Sequence, residues 1–127
     1  KILVEVSIGE LLDKISILEI KKEKIIDAEK LIFINNEYNI LKEQLDSNIK
    51  TDEKLNKLFN SLKEINAKLW VIEDDKRMCE KNADFGEKFT KLSRDVHFFN
   101  DDRAKIKLEI NNYTGSNIKE IKEYTNY

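Results

Sequence analysis

Four stretches of this chain repeat apolar residues at alternating three- and four-residue spacing, and no proline interrupts any of the 127 residues. That spacing places side chains on one face of an α-helix. The first stretch carries Ile8, Leu11, Leu12, Ile15, Leu18 and Ile25, with Ile17 and Ile20 on a second face. The second carries Leu31, Ile34, Tyr38, Leu41 and Leu45. The third carries Leu55, Leu58, Leu62, Ile65, Leu69 and Ile72, with Phe59 alongside. The fourth carries Phe85, Phe89, Leu92, Val96, Phe99, Ile106 and Ile110. Three glycines are too few for the turns of a β-sandwich or barrel. The pattern predicts one all-α domain over residues 1–127, a bundle of four amphipathic helices. A first helix that is apolar on two sides is expected to be central or shared with a partner.

Helix ends are marked by residues that satisfy free backbone groups. Ser7 and Glu10 form a Ser-x-x-Glu capping box, so the first helix is expected from about Ile8 to Ile26 after an extended N-terminal arm. Asp27 is placed to cap the second helix, and Thr51 or Asp52 the third. Lys81 to Gly86 is the next break, and Gly115 a helix terminator. Ser116 is placed to start a short last helix ending near Tyr124. The third and fourth helices, roughly 28 residues each, would be about 40 Å long. They form an antiparallel hairpin about residue 84. Two long and two short helices cannot cover one another fully, so a homodimer is expected.

Charge and cysteine content narrow the function classes. Charged residues make up 38% of the chain, but acidic and basic side chains interleave and the net charge is only −2. No basic stripe of the kind that tracks nucleic acid is visible. No apolar run approaches the ~18 residues of a membrane span, and no signal-peptide pattern opens the sequence. One cysteine, Cys79, allows neither an intrachain disulfide nor a multi-cysteine zinc site. The expected compartment is the reducing cytoplasm. No partner nucleic acid, membrane or resident cofactor is expected.

Polar residues sit where the period predicts core. One stripe of the third helix reads Phe59, Leu62, Asn66, Leu69, Glu73, Arg77, Glu80, turning from apolar to charged without leaving its face. On the fourth helix Val96, Asn100, Arg103, Lys107 and Ile110 share a flank. Arg77, Arg94 and Arg103 are the only arginines, against 20 lysines. A planar fork binds carboxylate or phosphate bidentately where an ammonium cannot. The hairpin register sets Asp74 near Arg94, Glu73 near Asp95 and His97, and Asn66 near Arg103. Glu73, Asp74, Arg77, Arg94, His97, Asn100 and Arg103 are therefore the candidate ligand-binding set. One reading is an ion-pair ladder that fixes helix register, with Glu73–Arg77 at i,i+4 and Arg77–Glu80 at i,i+3. The other is a pocket for an anionic ligand. His97 and Asp101 have a spacing that suits a metal, although a histidine bonded within the bundle is the simpler expectation. Cys79 reads as a buried inert thiol. Glu10, Asp13, Lys14 and Glu19 lie between the apolar faces of the first helix; if that helix is central they are half-buried and need partners, which for Asp13 and Lys14 the fourth helix could supply.

The opening Val6-Ser7-Ile8-Gly9-Glu10-Leu11-Leu12-Asp13-Lys14-Ile15-Ser16-Ile17-Leu18-Glu19-Ile20-Lys21 resembles that of a small family of unknown function in bacteria and phages. So do Leu69-Trp70-Val71-Ile72-Glu73-Asp74 with Arg77 and Glu80, Asn100 through Lys107, and Gly115-Ser116 with Lys122-Glu123-Tyr124. The family pattern carries a proline where this chain has Glu5, so the resemblance does not set the shape of the arm. It implies that these polar blocks are family hallmarks, and it implies an association with glycosyltransferase and surface-polysaccharide genes. It implies no mechanism.

Four functions fit these observations. The first is a non-catalytic binding or accessory module for a phosphorylated sugar, a nucleotide sugar or a glycan-enzyme partner. The second is a magnesium-dependent all-α nucleotide pyrophosphohydrolase, with Glu10, Asp13, Glu73 and Asp74 as metal ligands. Its second acidic motif is not spaced as such enzymes require. The third is chorismate-mutase-like chemistry, disfavoured because the first helix has no arginine. The fourth is a purely structural helical interaction protein.

Overall fold

A computed structural model describes residues 1–127. Four helices make up three quarters of the chain, with no strand. They are α1 (Ile8–Lys24), α2 (Ala28–Asn48), α3 (Glu53–Lys81) and α4 (Glu87–Thr114). Residues 1–6 carry no regular secondary structure, and Ser7, which follows them, is extended.

The caps form largely where the sequence places them. Ser7 Oγ accepts the Glu10 N–H at 3.0 Å. Asp27 accepts from the N–H groups of Glu29 and Lys30, and Asp52, not Thr51, accepts from Leu55. The reciprocal half of the capping box is missing because the Glu10 carboxylate is drawn across to Lys107 on α4. Gly115 ends α4 in the left-handed conformation, φ 67°, that glycine adopts without a Cβ penalty.

Helix α1 packs on α2, α3 and α4, and α3 packs on α4. The first helix is thus central, as its two apolar faces require. Leu12, Ile15, Leu45, Leu55, Leu62 and Ile110 form the core, each 5% exposed or less. Gly9 pairs with Asn111, Glu10 with Lys107 and Asp13 with Arg103, so α1 runs antiparallel to α4. No helix is long and apolar enough to cross a membrane.

Length mismatch exposes the charged half of the hairpin. Helix α1 has 17 residues, α3 29 and α4 28, or about 25 Å against about 43 Å. The buried residues of α4 are Lys107, Ile110 and Asn111, all in its C-terminal third. Where α1 no longer covers the hairpin, the stripe of α3 changes from Leu62 and Asn66 to Glu73, Arg77 and Glu80, all exposed.

The expected C-terminal helix does not form: residues 117–127 are irregular and lie back along α4. A helix that short is marginal in water without a packed face. Ser116, its expected cap, is engaged elsewhere. Its hydroxyl accepts the Ile8 N–H at 3.1 Å and donates to the Ile118 carbonyl at 2.8 Å. Glu120 is held by Ser7 and Lys107, which fixes the tail against the start of α1.

Candidate functional site

A buried polar network joins α1, α3, α4 and the tail. Its centre is Asp13, 1% exposed. Asp13 Oδ1 accepts from Asn66 Nδ2 at 2.8 Å and from Arg103 Nε at 2.9 Å. Asp13 Oδ2 accepts from Arg103 Nη2. This is the bidentate fork that arginine makes and lysine cannot. Asn66 Nδ2 also donates to Ser16 Oγ. Next along α4, Lys107 Nζ lies 2.6 Å from Glu10, 3.3 Å from Glu120 and 4.0 Å from Asp13. Ser7 Oγ donates to Glu120 at 2.9 Å. Asn111 Oδ1 accepts the Gly9 N–H at 2.7 Å, while Asn111 Nδ2 has no partner.

Electrostatics keep these groups ionised. Burial pushes the Asp13 carboxyl up, but hydrogen bonds from Arg103 and Asn66 and the charges of Arg103 and Lys107 outweigh it, holding the carboxyl below the usual range. Burial likewise opposes the charge on Lys107, and Glu10, Asp13 and Glu120 raise it above the ordinary lysine value despite that. Each buried charge is matched, as burial demands.

Two members of the network, Asn66 and Arg103, line a groove of about 410 Å³ between α3 and α4, with Ile17 of α1 at one side. Its walls are Leu69, Trp70, Glu73, Asp74 and Arg77 from α3, and Asn100 and Arg103 from α4. Five of the seven expected site residues therefore meet: Glu73, Asp74, Arg77, Asn100 and Arg103. The Asn66–Arg103 level also forms as the hairpin register predicts, through Asp13 as the shared acceptor. Trp70, off the main stripe of α3, lines this groove.

Arg94 and His97 lie elsewhere. The Arg94 guanidinium sits 6.0 Å over the Phe98 ring, not against Asp74. Asp95 pairs with Lys91 at 2.9 Å, not with anything near Glu73. His97 is exposed and faces the tail, its ring 4.3 Å from Phe98 and 5.3 Å from Tyr127. The expectation of a histidine bonded within the bundle is thereby corrected. Asp101, its i,i+4 neighbour, accepts the Tyr127 hydroxyl. Cys79 is a buried free thiol, as expected.

The expected ion-pair ladder is also absent. Glu73, Asp74, Arg77, Glu80 and Arg94 have no ion-pair partner within 4.0 Å. Helix spacing alone brings Glu73 and Arg77 to one face, but exposed side chains gain little by pairing there. The carboxylates of Glu10 and Asp13 are bound to Lys107 and Arg103, and no group of three or more His, Cys, Asp or Glu converges as a metal ion needs.

Sequence reasoning missed Lys107, Asn111, Ser7, Ser116 and Glu120 as members of one network. The signal for Lys107 was present, since it follows Arg103 on a flank that ends in the core residue Ile110. The role of Glu120 depends on the path of an irregular tail, which no period encodes.

No curated protein and no solved structure matches the chain. The blocks around Asp13, Asn66–Arg77, Asn100–Lys107 and Ser116–Glu120, distant along the chain, all converge on the network and its groove. A family model spans residues 2–127, and the chain belongs to that family, DUF6165, a family of unknown function.

Proposed function

We propose that the protein is a non-catalytic binding module whose α3–α4 groove takes a phosphorylated sugar. The observation that carries this reading is a contrast in pairing. In the network every charge is matched, while the polar groups on the wall formed by α3 are unengaged. Arg77 supplies a free guanidinium fork for a phosphate. Glu73, Asp74 and Asn100 supply acceptors and an amide for sugar hydroxyls, and Trp70 an apolar face for the ring. The Asp13–Arg103–Asn66 network holds α3 and α4 in fixed register.

Two alternatives have weaker support. A magnesium pyrophosphohydrolase would need Glu10 and Asp13 free, and both are neutralised by cations of α4. A purely structural role gives no use to a tryptophan, two carboxylates and an arginine gathered around one concavity.

The same reading keeps the protein a dimer. Helix α2 packs only on α1 and exposes Ile32, Phe33 and Ile40, by 68%, 75% and 53%. A monomeric mass by light scattering at micromolar concentration would remove that part of the proposal.

A thermal-shift screen tests the ligand class, with sugar phosphates and nucleotide sugars each tried with and without magnesium. A ligand at 100 times its Kd adds about 2.7 kcal/mol of apparent stability. The expected hit is metal-independent. A response that requires magnesium and a nucleoside triphosphate would favour the pyrophosphohydrolase instead.

A further inference from the structure

A second concavity of about 520 Å³ lies between α4 and the tail. Its lining includes Arg103, Lys107 and Lys122, the aromatic rings of Tyr124 and Tyr127, and Thr125. Asn100 and Arg103 line this groove and the α3 groove alike, so the two lie side by side with one flank of α4 between them. That flank is held still, because Arg103 is bound to Asp13 and lies 3.4 Å from Asn100 Oδ1.

The chemistry of the second groove differs from that of the first. Its one carboxylate, Asp101, already accepts the Tyr127 hydroxyl. Of its three permanent cations, Arg103 and Lys107 are matched by Asp13, Glu10 and Glu120. Lys122 has neither an ion pair nor a hydrogen bond. An ammonium without an ion-pair partner and two tyrosine rings lining one groove suit a phosphate joined to a planar base. The first groove, with its carboxylates and tryptophan, suits hydroxyls. Each volume is toward the lower end of small-molecule sites, roughly 300–1,000 Å³.

We propose that the two grooves are halves of one site and that its ligand is a nucleotide sugar. The sugar lies against Trp70, Glu73 and Asp74, the phosphates cross the Asn100–Arg103 flank between Arg77 and Lys122, and the base lies against the tail tyrosines. This rests on the sugar-binding reading of the α3 groove and narrows its ligand class.

The test is calorimetric titration of the full chain with glucose 1-phosphate, uridine diphosphate and UDP-glucose at constant ionic strength. UDP-glucose is expected to bind at least tenfold more tightly than glucose 1-phosphate. Lys122→Gln should remove that gain, leave glucose 1-phosphate binding unchanged and leave the melting temperature unchanged. Lys119→Gln, an exposed lysine on the same tail, should change nothing and so controls for net charge. The proposal is overturned if UDP-glucose binds no more tightly than glucose 1-phosphate, or if Lys122→Gln leaves UDP-glucose affinity intact. Arg77-dependent glucose 1-phosphate binding without a nucleotide gain would sink this inference and leave the sugar groove standing. Absence of binding by all three compounds would sink both.

Discussion

Replacing Gly9 by alanine sets two physical effects against each other. Gly9 lies in the first turn of α1, where an alanine is intrinsically better by up to about 1 kcal/mol. A Cβ built there would meet the Lys107 carbonyl oxygen at 2.6 Å and Asn111 Oδ1 at 2.9 Å. The nearer atom is backbone, which a side-chain rotation cannot move aside. α1 must therefore back away from α4 by roughly half an ångström or more, as ordinary contacts begin near 3.4 Å. That movement stretches the 2.7 Å Gly9–Asn111 hydrogen bond and loosens the Glu10–Lys107 pair beside it. Overpacking costs about 1–3 kcal/mol, and a buried polar group left unmatched a similar amount. The net expectation is a loss of about 2–4 kcal/mol, or a fall in Tm on the order of 10 °C for a domain of this size. Urea unfolding followed by circular dichroism at 222 nm measures it. A variant as stable as the parent, or more stable, would mean that the close α1–α4 approach is not real. Asn111→Ala in the Gly9→Ala background should rescue only partly, because the Lys107 carbonyl remains.

Other predictions follow from the network and its groove. Asp13→Asn keeps the shape but leaves Arg103 and Lys107 short of a counter-charge, and should cost about 3 kcal/mol by urea unfolding. Because the Asp13 carboxyl titrates below its ordinary value when folded, its stabilisation is present above the usual carboxylate range and lost as pH falls through the depressed value. The difference between parent and Asp13→Asn should therefore be level from about pH 6 to 8 and shrink below about pH 4. Leu62→Ala, at a site 0% exposed, should cost about 2–5 kcal/mol in the same assay. Arg77→Ala should change stability by less than about 0.5 kcal/mol, since its side chain is exposed and has no ion-pair partner, and Arg94→Ala by no more than about 1 kcal/mol, the worth of its contact with the Phe98 ring.

Much of this fold is written in local signals. The stripes of the four helices, Ser7, Asp27 and Gly115 follow from spacing and from backbone groups that need partners. The hairpin register brought Asn66 to the level of Arg103 because two long antiparallel helices leave little freedom once their turn is placed. The same register failed for Asp74 and Arg94 because both are exposed, and without desolvation their attraction is too weak to fix side chains together. The tail was misread for a different reason. Ser116 is a good cap by type, but Ile8 and Ile118 claim its hydroxyl, and Lys107 and Ser7 claim Glu120. The Ile8–Ser116 and Ser7–Glu120 contacts span 108 and 113 residues of chain, and no local pattern reports them. The central role of Asp13 was half legible: a polar residue on a helix apolar on two sides had to find partners, but which ones awaited the packing.

Trp70 is the chain's single tryptophan and lines the proposed ligand groove, so its emission reports occupancy there directly. The deciding measurement is a fluorescence titration with glucose 1-phosphate and UDP-glucose on the parent, Arg77→Ala and Arg94→Ala. A saturable change in Trp70 emission that is lost in Arg77→Ala and kept in Arg94→Ala is the predicted result. Flat emission with both compounds, or equal responses from the two arginine variants, would contradict the assignment of this groove as a ligand site.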